Sequence, residues 1–187
     1  MRTDFKRKGR GFTLMELLVV ISIIVVLAAL TAGGFKVVKE KQRRSQARVQ
    51  IGLLQMAMED YATDHGGEYP SYPQQNAKNG TDEIFNALFG DPIKEDTKVY
   101  LSELDPENDT QDWLAGKKGL ENLAIYDPWG NEYYYRTNDP ENPDQTIAAN
   151  PDFDLWSAGP DGKTEPGAAG GYDRDNPDNL DDIRGWD

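Results

Sequence analysis

The sequence predicts an α+β protein: a long N-terminal helix, with a transmembrane first half and an amphipathic second half, packed on a small antiparallel β-sheet head. Three observations predict it. From Phe12 to Phe35 the only ionisable side chain is Glu16. Apolar residues then recur at helical spacing as Ile51, Leu54, Met58 and Tyr61. After Pro70 the chain turns to Pro, Gly, Asn and Asp, interrupted by short strand-like pieces.

Taken in order, the 187 residues suit one domain plus an appendage. The run 12–35 makes a helix of roughly 35 Å at about 1.5 Å per residue, enough to cross a bilayer core of about 30 Å. The basic stub ahead of it, with Arg2, Lys6, Arg7, Lys8 and Arg10 against Asp4, places the N-terminal side in the cytoplasm. Gly33-Gly34 loosens the helix without ending it. Residues 36–64 continue it, with Lys39, Lys41, Arg43, Arg44 and Arg48 preceding the apolar face. Gly66-Gly67 and Pro70 then supply a stop near Asp64. A helix greasy all round in its first half must sit in lipid or among copies of itself.

The rest of 36–187 forms the head. "SYPQQNAKNG" is a loop by composition. "TDEIFNALFG" is a short helix with Thr81 as N-cap and Gly90 as stop. "KVYLSEL", "NEYYYR" and "FDLWSAG" are the strand-like pieces. In "DPWGNEYYY" a turn feeds a strand: Pro128 fixes φ, Gly130-Asn131 permits a reversal and alternating tyrosines suit a half-buried sheet. Trp129, Trp156 and Trp186 read as packing anchors.

The absence of cysteine excludes a disulfide framework and cysteine-based metal or redox sites. Twenty basic and 33 acidic residues give a net charge of −13, which argues against nucleic acid as a partner. The single histidine, His65, sits at the helix end and reads as a cap on its dipole. With no phosphate loop and no nucleophile motif, an enzyme is not expected, and a membrane-anchored hydrolase is disfavoured.

From Ala148 to Asp187 there are ten acidic residues and three basic ones. Asp161, Asp173, Asp175, Asp178, Asp181 and Asp182 fall within 22 residues among Gly, Pro and Asn. Such a segment buries too little apolar area to order itself. Either it is a solvated tail or a hard cation organises it. Ca²⁺ takes about six to eight oxygen ligands. The segment "DRDNPDNLDDIR" lacks the glycine and terminal glutamate of an EF-hand loop.

"KGRGFTLMELLVVISIIVVLAAL" resembles the leader and N-terminal segment of type IV pilins and type II secretion pseudopilins. "DHGGEYP", "DPWGNEYYYR" and "FDLWSAGPDG" followed by "DDIRGWD" are similar to the major-pseudopilin family of type II secretion. The alternative within the superfamily is a surface type IV pilin for adhesion, motility or DNA uptake. The resemblance implies that residues 1–11 are a leader cut by a prepilin peptidase between Gly11 and Phe12, with Phe12 then N-methylated. An uncleaved signal anchor is the plainer reading of the same stub. Removing 1–11 takes away five positive charges and one negative, moving the net charge from −13 to −17.

The resemblance further implies a homopolymeric filament, built from the inner membrane by an assembly ATPase and platform with minor pseudopilins, the head lying in the periplasm. Glu16 would pair with the Phe12 amine of a neighbouring copy, since a lone carboxylate at membrane depth costs about 2.5–3.5 kcal/mol. A charge tolerated near the interface is the rival reading. For the region 153–187 the resemblance implies a calcium loop. Its ligands would be Asp161, Asp182 with adjacent Asp181, and a backbone carbonyl near Ala158. The stretch between these anchors is longer than the family pattern, which leaves Asp173, Asp175 and Asp178 as replacement or additional ligands.

Overall fold

The computed structural model describes residues 11–70, 81–90, 98–109, 113–114, 123–137, 148–165 and 172–186, with the side chains of 30–34 outside it. The expected loop 71–80, most of the leader and part of the acidic stretch therefore lie outside the described residues. The chain divides into two compact units, Met1–Lys41 and Gln42–Asp187.

Helix α1 spans Leu14–Asp64, close to the expected range. In the first unit its apolar side chains have no cover. Every large one from Phe12 to Leu27 is at least 46% exposed. Among the described residues no helix is long and apolar enough to cross a membrane; the side chains of 30–34, inside the expected span 12–35, lie outside the described residues.

In the second unit α1 carries the core. Ala47, Ile51, Leu54, Ala57, Met58 and Ala62 are buried along one face, while Val49 and Met56 stay exposed. Three of the four residues picked out by spacing are fully buried, and Tyr61 packs at the edge. The helix stops as its sequence requires. Gly66 and Gly67 take positive φ, and the Gly67 N–H donates to the Ala62 carbonyl at 2.7 Å. His65 stacks on Tyr61, ring centroids 3.8 Å apart, and its Nδ1 donates to the Tyr61 carbonyl at 2.8 Å. The cap reading of His65 thus takes the form of a hydrogen bond to the last turn of α1.

Helix α2, Thr81–Phe89, buries Ile84, Phe85 and Leu88 and ends at Gly90 with φ 90°. Thr81 is its first residue rather than a bonded cap: its buried hydroxyl has no partner among the described residues. The expected strand "KVYLSEL" does not form. Tyr100 and Leu101 give their N–H groups to the Leu88 carbonyl, at 2.7 and 3.2 Å, and Ser102–Leu104 turns as a 3₁₀ helix. The segment caps α2 instead of pairing with a sheet.

The sheet has three antiparallel strands in the order β1 (Tyr134–Thr137), β2 (Phe153–Ser157), β3 (Ile183–Arg184). Tyr134 pairs with Trp156 and Thr137 with Phe153; Trp156 pairs in turn with Arg184. Strand β2 is central and buried on both faces. Alternation sends Tyr135, Phe153, Leu155 and Ile183 into the core that α1 fills. Trp156 goes to the other face, stacked on Tyr134 at 5.3 Å and met edge-on by Tyr172 at 5.4 Å. Trp186 closes that cluster against Tyr172 at 5.2 Å. Trp129 packs partly buried at the core edge, so all three tryptophans serve as anchors.

Polar ties also join helix α1 to the chain around the sheet. The buried Tyr133 hydroxyl donates to Gln50 Oε1 at 2.7 Å, and Gln55 Nε2 donates to the Gly185 carbonyl at 2.9 Å. A Cβ on Gly185 would sit 2.6 Å from that Gln55 nitrogen and 3.0 Å from Ile51 Cγ2, so a side chain there would push Gln55 aside and strain the hydrogen bond it makes.

Candidate functional sites

At the N-terminal tip, a Cβ on Gly11 would meet nothing within 4 Å, so packing does not ask for glycine there. Two residues on, Thr13 and Glu16 cap α1 reciprocally. The Thr13 N–H and Oγ1–H each donate to Glu16 Oε2 at 2.9 Å, and the Glu16 N–H donates to Thr13 Oγ1 at 3.2 Å. This is a capping box, with Thr at the N-cap and Glu three residues on. Sequence reasoning gave Glu16 one role; within a single chain it already has another, and the Thr-x-x-Glu spacing was the signal for it.

The second site is the acidic loop. Strand β2 ends at Ser157, and Ala158 is buried directly after it. Gly159 and Gly162 bracket Asp161 with φ +66° and +68°. The Asp181 backbone lies against Gly159, its carbonyl 2.6 Å from where a Cβ would stand and its Oδ2 3.1 Å away. The loop's two ends, around Ala158 and Asp181, are thus brought together. Asp161 Oδ1 accepts from the Lys163 N–H at 2.9 Å. Arg44 Nη1 donates to the Asp181 carbonyl at 3.4 Å.

Asp182 is partly buried. Its Oδ2 accepts from the Thr164 hydroxyl at 2.9 Å, and Thr164 accepts from the Trp156 indole N–H at 3.0 Å. Its Oδ1 is buried with no partner among the described residues. Burial pushes this carboxyl up to about 6, helped by the charges of Asp181 and Asp161. Among the described residues no three His, Asp or Glu side chains are clustered around one point. The donor chemistry nevertheless fits a hard cation: a buried carboxylate oxygen with no partner among the described residues, two further carboxylates whose charge it feels, and a buried turn backbone beside them.

Asp173, Asp175 and Asp178 lie farther along the same stretch. Asp173 Oδ1 accepts from the Asp175 N–H at 3.0 Å, and the Asp178 N–H donates to Asn176 Oδ1 at 3.0 Å. The residue that staples this stretch is one sequence reasoning missed. Asn179 is buried; its Nδ2 donates to the Glu165 and Asp173 carbonyls at 2.9 and 2.6 Å, and its Oδ1 accepts from the Glu165 N–H at 2.7 Å. With Tyr172 and Trp186 packed on Trp156, the described parts of this stretch have polar and apolar contacts that composition did not show. Gly159→Ala should destabilise the head by about 1–3 kcal/mol, through the positive φ and the clash with the Asp181 backbone. Chemical denaturation checks this; an unchanged midpoint would contradict the close approach.

A long helix with an apolar, uncovered N-terminal half, its second half packed on a three-stranded sheet, defines a pilin-like subunit. Residues 6–32 match the prokaryotic N-terminal methylation motif. The chain is 30% identical to type II secretion system core protein G of Pseudomonas aeruginosa over 97% of its length and 98% of that protein's. It is 32% identical to the protein of that name in Escherichia coli K12, over 83% and 85%. It belongs to the family of type II secretion system core protein G. A likeness to the type IV major pilin protein PilA of Myxococcus xanthus, 32% identical, covers only 32% of this chain and 27% of PilA.

Proposed function

We propose that this chain is the major structural subunit of a type II secretion pseudopilus. It is made with a leader, cut between Gly11 and Phe12 by a prepilin peptidase and methylated on Phe12. Residues 12–35 hold it in the inner membrane with the head in the periplasm. An assembly platform, its ATPase and minor pseudopilins then draw it into a helical filament whose growth moves exported proteins outward. The role is mechanical rather than catalytic. The end-to-end likeness to the Pseudomonas protein favours this over a surface pilin.

The observation that carries assembly is the uncovered apolar helix. Side chains from Phe12 to Leu27 that remain half-exposed or more in one chain need lipid before assembly and copies of themselves after it. Cells overproducing the secretion apparatus should shed filaments containing this chain along their length. Recovery of the chain only from the membrane fraction, with filaments made without it, would contradict the reading.

We propose further that Ca²⁺ is held by Asp161, Asp181, Asp182 and the backbone at Ala158, with Asp173, Asp175 and Asp178 outside the set. When bound, the ion would supply the positive charge that offsets the crowded carboxylates and gives Asp182 Oδ1 its missing partner.

A further inference from the structure

We propose that Asn131, backed by Asp127 and Ser157, is a positioning residue for the cation loop: it sets the backbone of 158–162 in the form that holds the ion. The proposal rests on the calcium reading above. Asn131 lies in another part of the chain, in the turn that precedes β1, and carries no charge. Yet it bonds one of the two glycines that bracket Asp161 and lies close against the other. Its Nδ2 donates to the Gly159 carbonyl at 3.1 Å, and its Oδ1 lies 2.9 Å from where a Cβ on Gly162 would stand.

Asn131 is itself fixed. Asp127 is 2% exposed, and its Oδ1 accepts from the Trp129 and Asn131 N–H groups at 3.0 and 2.9 Å. The Asp127 N–H donates to the Asn131 carbonyl at 2.7 Å, which closes the turn. The other carboxylate oxygen, Oδ2, accepts from the Ser157 hydroxyl at 2.5 Å. Ser157 Oγ in turn accepts from the Gly159 N–H at 3.0 Å. Both the N–H and the carbonyl of Gly159 are thus held from the 127–131 turn, one through Ser157 and one through Asn131. Gly159 is also where Asp181 makes its closest approach. A buried carboxylate with its hydrogen bonds all directed at one turn and one loop is an expensive way to build a hairpin, and an economical way to fix a ligand backbone.

The test uses the processed full chain in detergent micelles, with Tb³⁺ as a luminescent probe and Ca²⁺ as competitor. Trp156 is the built-in sensitiser, two hydrogen bonds from Asp182. Asn131→Ala should weaken Ca²⁺ binding about tenfold or more. Emission lifetimes in H₂O and D₂O should show about one more water on bound Tb³⁺, because a misplaced backbone ligand is replaced by solvent. Ser157→Ala is read in the same way and serves if Asn131→Ala does not fold. Gln50→Ala removes a buried hydrogen bond to Tyr133 elsewhere in the head, so it should lower the melting midpoint and leave affinity and water count alone. Wild-type affinity and water count in folded Asn131→Ala and Ser157→Ala chains would overturn the positioning role. No Ca²⁺ or Tb³⁺ binding by the wild-type chain would overturn the calcium reading and this inference with it.

Discussion

Glu16→Gln chains are expected to enter the membrane and lose their leader normally, yet to be largely absent from filaments. Glutamine suits the third helical position of a capping box as glutamate does, so the Thr13–Glu16 exchange can persist. What the substitution removes is the charge. A lone carboxylate at membrane depth is unfavourable by about 2.5–3.5 kcal/mol, and pairing with a neighbour's Phe12 amine relieves it only on assembly. Thr13→Ala does the opposite: it keeps the charge and removes one side of the cap, which is worth about 1 kcal/mol. Quantitative blots of sheared filaments against membranes separate the two roles. Loss with Glu16→Gln and near-normal incorporation with Thr13→Ala supports the charge pair. Normal filaments from Glu16→Gln, with loss from Thr13→Ala, would make Glu16 a helix cap and nothing more.

The second large effect is on the head. Ca²⁺ should raise the melting midpoint of the processed chain and chelator should lower it. A ligand that binds only the folded state stabilises by about 2.7 kcal/mol at a hundredfold excess over Kd, or roughly 5–10 °C for a domain of this size. Asp161→Ala and Asp182→Ala should each abolish most of that shift, and Asp173→Ala far less. Mg²⁺ should substitute poorly, because it demands tight octahedral geometry and keeps its waters. The effect also depends on pH in a fixed direction. Asp182 titrates at about 6 in the calcium-free fold, above the ordinary 3.8. The stability it contributes is therefore full below about 3.8 and lost as pH rises through 6. Calcium needs the ionised form, so its affinity should weaken as pH falls below about 6. Identical melting curves in calcium and chelator at pH 7 would leave the loop as an acidic surface segment.

Much of this fold was legible because it is periodic. The buried face Ile51, Leu54, Met58 follows from helical spacing, and the strands at 134–137 and 153–157 from their aromatic and β-branched character. What escaped has no period. Strand β3 is two residues long, too short for a period to show. "KVYLSEL" has strand composition, but the free carbonyl at the end of α2 claims its N–H groups. Asn179 and Thr164 act through particular hydrogen bonds that composition cannot rank, and Trp113 is a fully buried tryptophan in an unpatterned stretch. In the acidic loop the carboxylates at 161, 181 and 182 were visible as chemistry. The uncharged side chain holding the loop backbone, Asn131, was visible only as a turn residue.

The account turns on a chain that is cut before its apolar helix and then polymerised through it. Intact mass and N-terminal peptide analysis of the subunit extracted from purified filaments tests that directly. A chain beginning at Phe12 with one added methyl group on its amine is the expected result. A filament subunit that still begins at Met1 would contradict it.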